Sequence, residues 1–241
     1  MTKKKFLLVC EGPTDIPVLT SIAKALVNKN GCQIEIVELS PQLDATSGQY
    51  PAHGWTAVRA WCLANREKTP ADVAGIDEKL RAAVLRKNWR SIVAASGAHG
   101  IIVQLDTDIA EKIVDVPASF ADSGLSRRAY CEAAIAHWLR VPKVDKDMYL
   151  VLSTYSTETW LLACHEPNDP VFADLPIPFN YEDIPDAEGR LLTLGYKKKS
   201  GRIKKDTDLY AGYAQNMTKD LAKIRSRCKE AENFCHFVES L

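Results

Sequence analysis

The chain has 241 residues, with 31 Lys and Arg balanced by 31 Asp and Glu. A net charge of zero excludes a generally basic nucleic-acid binder, and 46% hydrophobic with 26% charged residues excludes wholesale disorder. Seven cysteines without a Cys-x-x-Cys pair argue against a disulfide framework and for buried thiols in a reducing cytoplasm. The apolar run near the start stops at Glu11, too short for a secretory signal. The uncharged stretch from Ser91 to Leu105 is shorter than a membrane span. A cytoplasmic protein without membrane association is expected.

In chain order, the first strong element is Lys5 to Cys10, a continuous apolar run of strand length. Such a run suits a strand buried on both faces, as in a parallel sheet covered by helices. Gly12 and Pro13 break it, and Thr14 or Asp15 caps a helix with apolar positions at Ile16, Leu19, Ile22, Ala23 and Leu26, ending near Asn30-Gly31. Gln33 to Leu39 alternates apolar and charged residues and reads as a strand nearer an edge, and 40–54 reads as a loop. Residues 55–95 read as helical in two or three pieces: Trp55 to Glu67, then Ala71 to Ala95 with an irregularity near Gly75. Gly100 to Asp108 is a second buried strand with an acidic end, Arg127 to Arg140 an amphipathic helix, and Met148 to Tyr155 a third buried strand. A helix follows from Thr157-Glu158 to about His165. Alternating strands and helices predict an α/β fold with a mostly parallel sheet. Residues 167–186 are rich in proline and read as a linker or surface loop. Helical patterns return over 187–194, 207–216, 217–229 and 230–240 as a C-terminal extension of the core, 1–166.

In open α/β sheets the ligand site lies beyond the carboxyl ends of the strands. Three apolar strands here end in groups suited to chemistry: Glu11 and Asp15, Asp106 and Asp108, and Ser153 followed by Glu158. Singly, these residues are ordinary helix caps and turn formers. Together they would repel one another unless cations neutralise them, and hard cations such as Mg²⁺ take oxygen ligands.

Val9-Cys-Glu11-Gly-Pro-Thr-Asp15, followed by Val103-Gln-Leu-Asp106-Thr-Asp108, resembles the Toprim domain. The spacing from Glu11 to Asp15 and the later Ser153-Thr-Tyr-Ser-Thr-Glu158 segment resemble the Toprim nucleases of the OLD class and their small stand-alone relatives in phage defence. The resemblance covers residues 5 to about 165 and implies a Toprim/Rossmann-like sheet carrying a metal-dependent nuclease for DNA or RNA. It implies that Glu11, Asp106 and Asp108 hold one Mg²⁺ or Mn²⁺ ion and that Asp15 with Glu158 helps hold a second. It also implies a Lys near the scissile phosphate, for which Lys205, then Lys204, stand just before a predicted helix. No Gly-x-x-x-x-Gly-Lys-Ser/Thr motif is present, so an ATPase of the ABC/SMC type would be a separate partner; a homodimer is a further expectation.

Two other readings stand beside this one. The run ending Asp106-Thr-Asp108 also suits a phosphatase of the haloacid dehalogenase type, with Asp106 as nucleophile and Asp108 as general acid. A non-catalytic Toprim-like interaction protein is the third. The zero net charge is unevenly spread: residues 157–190 carry eight acids and one base, whereas 195–229 carry eleven bases and three acids. That split can set a basic surface for a phosphate backbone beside an acidic site.

Overall fold

A computed structural model describes residues 3–27, 32–50 and 52–241. The elements, in chain order, are β1 (Lys3–Val9), α1 (Asp15–Val27), β2 (Gln33–Ser40), α2 (Trp55–Ala64), α3 (Glu78–Arg86), α4 (Trp89–Ser96) and β3 (Gly100–Asp106). They continue with α5 (Phe120–Ser123), α6 (Arg127–Leu139), β4 (Met148–Ser153), α7 (Glu158–Leu162) and α8 (Ala187–Thr193). A two-strand hairpin, β5 (Lys198–Lys199) and β6 (Arg202–Ile203), leads to α9 (Thr207–Lys219), α10 (Leu221–Arg227) and α11 (Lys229–Glu239). The expected end of the first helix at Asn30-Gly31 lies outside the described residues.

β1 to β4 form one parallel sheet in the order β2-β1-β3-β4. The α/β class with a parallel sheet flanked by helices, expected from the alternating pattern, is therefore observed. Continuous apolar strands occur because both faces are covered. Phe6, Leu8 and Ile102 enter one core, shared with α1, α9 and α11. Leu7, Val9, Ile101 and Val103 enter the other, shared with α2 and α6. β2, at the edge, has the mixed burial that its alternation predicts.

Two expectations need correction. The Ala71 to Ala95 helix is divided into a 3-10 turn (Pro70–Val73), α3 and α4, because Asp77 and Asn88 each cap a new start with their side chains. The proline-rich segment 167–186 is no linker: Phe172, Tyr181 and Ile184 are buried in the first core. The basic segment around 197–205 forms a hairpin; Ser200 and Gly201 both take positive φ, 52° and 81°, as a tight two-residue turn requires.

From β1 the chain passes through α1 to β2 on one side, then returns to place β3 on the other side of β1. The crevice between the carboxyl ends of β1 and β3 is thus the switch point of the sheet, where such folds bind ligands. Glu11 and Asp106 stand there. Among the described residues no helix is long and apolar enough to cross a membrane.

Candidate functional site

The end of β1 is held by three backbone-level contacts. The Cys10 N–H donates to the Ser40 carbonyl at 2.8 Å, the Gly54 N–H donates to the Glu11 carbonyl at 2.6 Å, and the Glu11 N–H donates to Gln104 Oε1 at 2.9 Å. The other end of the same amide, Gln104 Nε2, donates to Asp106 Oδ1 at 2.8 Å. The Asp106 N–H in turn donates to Glu11 Oε2 at 3.2 Å. Gln104, fully buried, therefore bolts the two acidic strand ends together. Sequence reading missed it. The available signal was a lone amide inside the apolar run Ile101-Ile-Val-Gln-Leu105, which a strand buried on both faces tolerates only with partners.

Asp15 opens α1 and is buried. Its Oδ2 accepts from the Gly12 N–H at 2.9 Å and its Oδ1 from Thr157 Oγ1 at 2.6 Å. A Cβ on Gly12 would stand 3.1 Å from Asp15 Oδ2, so glycine suits this turn. Glu158 opens α7 and is buried, accepting from Lys205 Nζ and from the Tyr210 hydroxyl. The loop after β4 is tied to the loop after β3: the Asp108 N–H donates to the Tyr155 carbonyl at 3.3 Å, and the Tyr155 N–H donates to Thr107 Oγ1 at 3.1 Å. Tyr155 holds a φ of 59° there, a conformation that side chains other than glycine's rarely adopt.

Glu11, Asp106, Asp108, Glu158 and Lys205 line one cleft of about 340 Å³. Asp15 lines its neighbour, which shares Glu11, Asp106 and Lys205. All five expected acids thus reach one region, and of the two lysines only Lys205 does. Lys204 is a correction to expectation: it pairs with Asp206 at 2.9 Å, because Asp206 caps α9 through the Leu209 N–H and holds Lys204 beside itself. Two further cleft acids were not singled out in the sequence. Asp186 caps α8 through the Gly189 N–H, and Glu188 accepts from the Ile203 N–H at 2.7 Å and from Arg202 at 3.2 Å.

Burial raises the Glu11 carboxyl to about 7, with the charges of Asp15 and Asp108 adding to it against the Asp106 N–H. Burial likewise raises Asp15 to about 6; Glu158 adds to it, while Thr157, Lys205 and the Gly12 N–H oppose. Asp106 is pushed well up by burial and by Asp15, Glu11 and Glu158, and half-exposed Asp108 is raised, chiefly by burial. Glu158 differs: burial would raise it too, but the Lys205 ammonium and the bonds from Lys205, Tyr210 and Ser156 outweigh that and hold it low.

The region is therefore short of positive charge: its seven acids are met by Lys205, already bonded to Glu158, by Arg202, paired with Glu188 at 3.2 Å, and by Lys112, 3.8 Å from Asp108. Among the described residues no three Asp, Glu, His or Cys side chains converge as a metal-ligand group; the acids stand around a common space. Their chemistry fits a hard divalent cation, whose ligands are carboxylate oxygens and water, and such an ion would reverse the rise in their pKa values. The Ser153 hydroxyl, opposite Asp106 in the sheet register, is buried without a hydrogen-bond partner, a second polar group there awaiting one. Compared with known protein-family models, curated proteins and solved structures, the chain has no match.

Proposed function

We propose that the chain is a metal-dependent nuclease that hydrolyses phosphodiester bonds, with DNA favoured over RNA as substrate. The observation that carries this reading is the gathering of Glu11, Asp15, Asp106, Asp108 and Glu158 at the sheet's switch point with fewer cations than acids around them. Glu11, Asp106 and Asp108 would hold one Mg²⁺ or Mn²⁺ ion, and Asp15 with Glu158 would help hold a second. Such ions would supply an activated water and neutralise charge on the phosphoryl and leaving oxygens.

The chain's own residues have separate tasks. Gln104 keeps Glu11 and Asp106 at a fixed separation, so that their oxygens need not reorganise during reaction. Lys205 presents a positive charge at the mouth shared by the two cavities, suited to a non-bridging phosphate oxygen. Glu158, itself held by the Tyr210 hydroxyl, fixes its head group. The exposed Lys197, Lys198 and Lys199 on the adjoining hairpin suit the flanking phosphates, where binding weakens steeply with salt. A cytoplasmic phage-defence role, a separate ABC/SMC-type ATPase partner and a homodimer are supported only by the resemblance to the OLD class.

The decisive assay is Mg²⁺- or Mn²⁺-dependent cleavage of plasmid and oligonucleotide. Glu11→Gln is expected to abolish it, and unchanged cleavage in that variant would sink the proposed site. A phosphatase would instead release phosphate from a small phosphomonoester, with dependence on Asp106 and indifference to Glu11.

A further inference from the structure

Beside the carboxylate cleft opens a second cavity of about 390 Å³ whose inner wall is Glu11, Asp15, Asp106 and Lys205. Its outer wall is the loop between β2 and α2, which contributes Gln49, Tyr50 and His53. That loop is built rather than loose. The Cys10 N–H on Ser40 and the Gly54 N–H on Glu11 pin its two ends to β1, and between them the Asp44 N–H donates to the Gln49 carbonyl at 2.8 Å. Gly54, at a φ of 88°, makes the turn back into α2.

Tyr50 packs half-buried against the first core and lines the cavity. Its hydroxyl has no hydrogen bond among the described residues, nor has the Gln49 side-chain amide. His53 Nδ1 lies 3.2 Å from the Tyr50 carbonyl, and among the described residues its Nε2 has no hydrogen bond. A matching ligand has a flat face for Tyr50, polar edges for Gln49, His53 and the Tyr50 hydroxyl, and an anionic group that reaches Lys205. Those are the features of a nucleotide.

We infer that this cavity receives the base of the nucleotide joined at the scissile phosphate, so that the substrate is single-stranded or locally unpaired nucleic acid. The inference rests on the nuclease reading, because the wall shared by the two cavities places a base in one beside a phosphate in the other. A paired base is stacked on both faces and occupied along its polar edge; it enters a pocket only by leaving the stack, which is least unfavourable in a single strand. Stacking on an aromatic ring accepts every base, so the requirement concerns pairing rather than sequence.

Binding of a labelled single-stranded oligonucleotide is measured without divalent ion, against its duplex and against a mononucleotide competitor. Cleavage with Mn²⁺ is followed in parallel. Tyr50→Ala is expected to weaken single-strand binding roughly 5- to 100-fold and to raise KM alike, with kcat changed less than about twofold. Tyr50→Phe keeps the ring and most of the affinity. Removing the base next to the cut, as an abasic nucleotide, should reproduce the loss in wild type and add nothing in Tyr50→Ala. Should Tyr50→Ala fold poorly, His53→Ala at an exposed position and the abasic series on wild type carry the same test. Equal affinity for strand and duplex, indifference to the abasic position, or a mononucleotide that competes as strongly as the strand overturns the inference. Cleavage that persists with such indifference removes the pocket and leaves the nuclease; Tyr50-dependent binding without cleavage does the reverse.

Discussion

The molecule buries acids in two places, and the two are handled differently. On the first-core side, Glu230 is almost fully enclosed, yet it accepts from Arg128 at 2.6 Å and from Asn233 at 3.1 Å, and neighbouring Glu182 accepts from the Glu230 N–H. Burial still raises Glu230, with Arg128 and Asn233 opposing it. At the switch point, Glu11, Asp15 and Asp106 are raised by burial and then by neighbouring acids, Glu158 and Asp108 among them, and Lys205, the cation shared by both cavities, is committed to Glu158. A buried carboxylate with its own cation is a packing solution; several sharing too little positive charge leave room for an added one.

The comparison breaks most visibly in activity. If the switch-point acids serve chemistry, Glu11→Gln or Asp106→Asn should lower metal-dependent cleavage by at least about 10²- to 10³-fold, with folding retained on circular dichroism. Glu230→Gln should leave turnover near wild type. Comparable losses at both places would mean that the distinction is one of folding alone.

Stability should run the other way. Arg128→Met strips Glu230 of its cation, and since Arg128 is itself partly exposed the loss is expected to be about 2 kcal/mol rather than the larger value of a fully buried pair. Asp106→Asn removes a repelled charge and should leave the metal-free midpoint in urea unchanged or higher. A marked fall for Asp106→Asn, without one for Arg128→Met, would invert the assignment.

The pH dependence sharpens the contrast. Glu11 near 7 and Asp15 near 6 lie above their ordinary values, so between about pH 4 and 7 the folded state binds more protons than the unfolded one. Stability then falls as pH rises: the loss is absent below the unfolded pKa values and complete above the folded ones. Metal-free protein should therefore melt progressively lower from about pH 4 to 7. Millimolar Mn²⁺, which binds the ionised acids, should remove most of that fall. Glu230, raised by burial, adds a smaller fall of the same sign that metal leaves in place and Glu230→Gln removes. Melting curves across that range, with and without Mn²⁺, separate the two places; a profile that metal does not alter would falsify the charge-deficit account.

The acids were legible in the sequence because an apolar run ending in Glu or Asp marks both a buried strand and the edge where its chain emerges, as at Val9 and Leu105. The groups that set their geometry were harder to see. Gln104 sits inside such a run, where hydropathy hides it, and its partners are distant in the chain. Phe172 and Tyr181 were masked by surrounding prolines, which break periodicity without preventing burial. The division of α3 from α4 depends on Asn88 and Ser91 capping each other, a local competition against helix continuity that spacing alone does not rank.

Lys204 and Lys205 give the finest test, since they are adjacent, identical in charge and inseparable by composition. The backbone after β6 and the Asp206 cap divide them: Lys205 is turned to Glu158 and the shared mouth, and Lys204 to Asp206 at the surface. Lys205→Met should lower cleavage by roughly 10- to 100-fold, the effect of losing a positioned phosphate contact, and should also push Glu158 back up by removing the cation that holds it low. Lys204→Met should change cleavage less than about twofold. Because both variants remove one positive charge next to the same hairpin, any effect of general electrostatic attraction cancels between them, and raising the salt should weaken substrate binding equally in both. A difference that persists at high salt belongs to the position of Lys205 and not to the basic character of the segment.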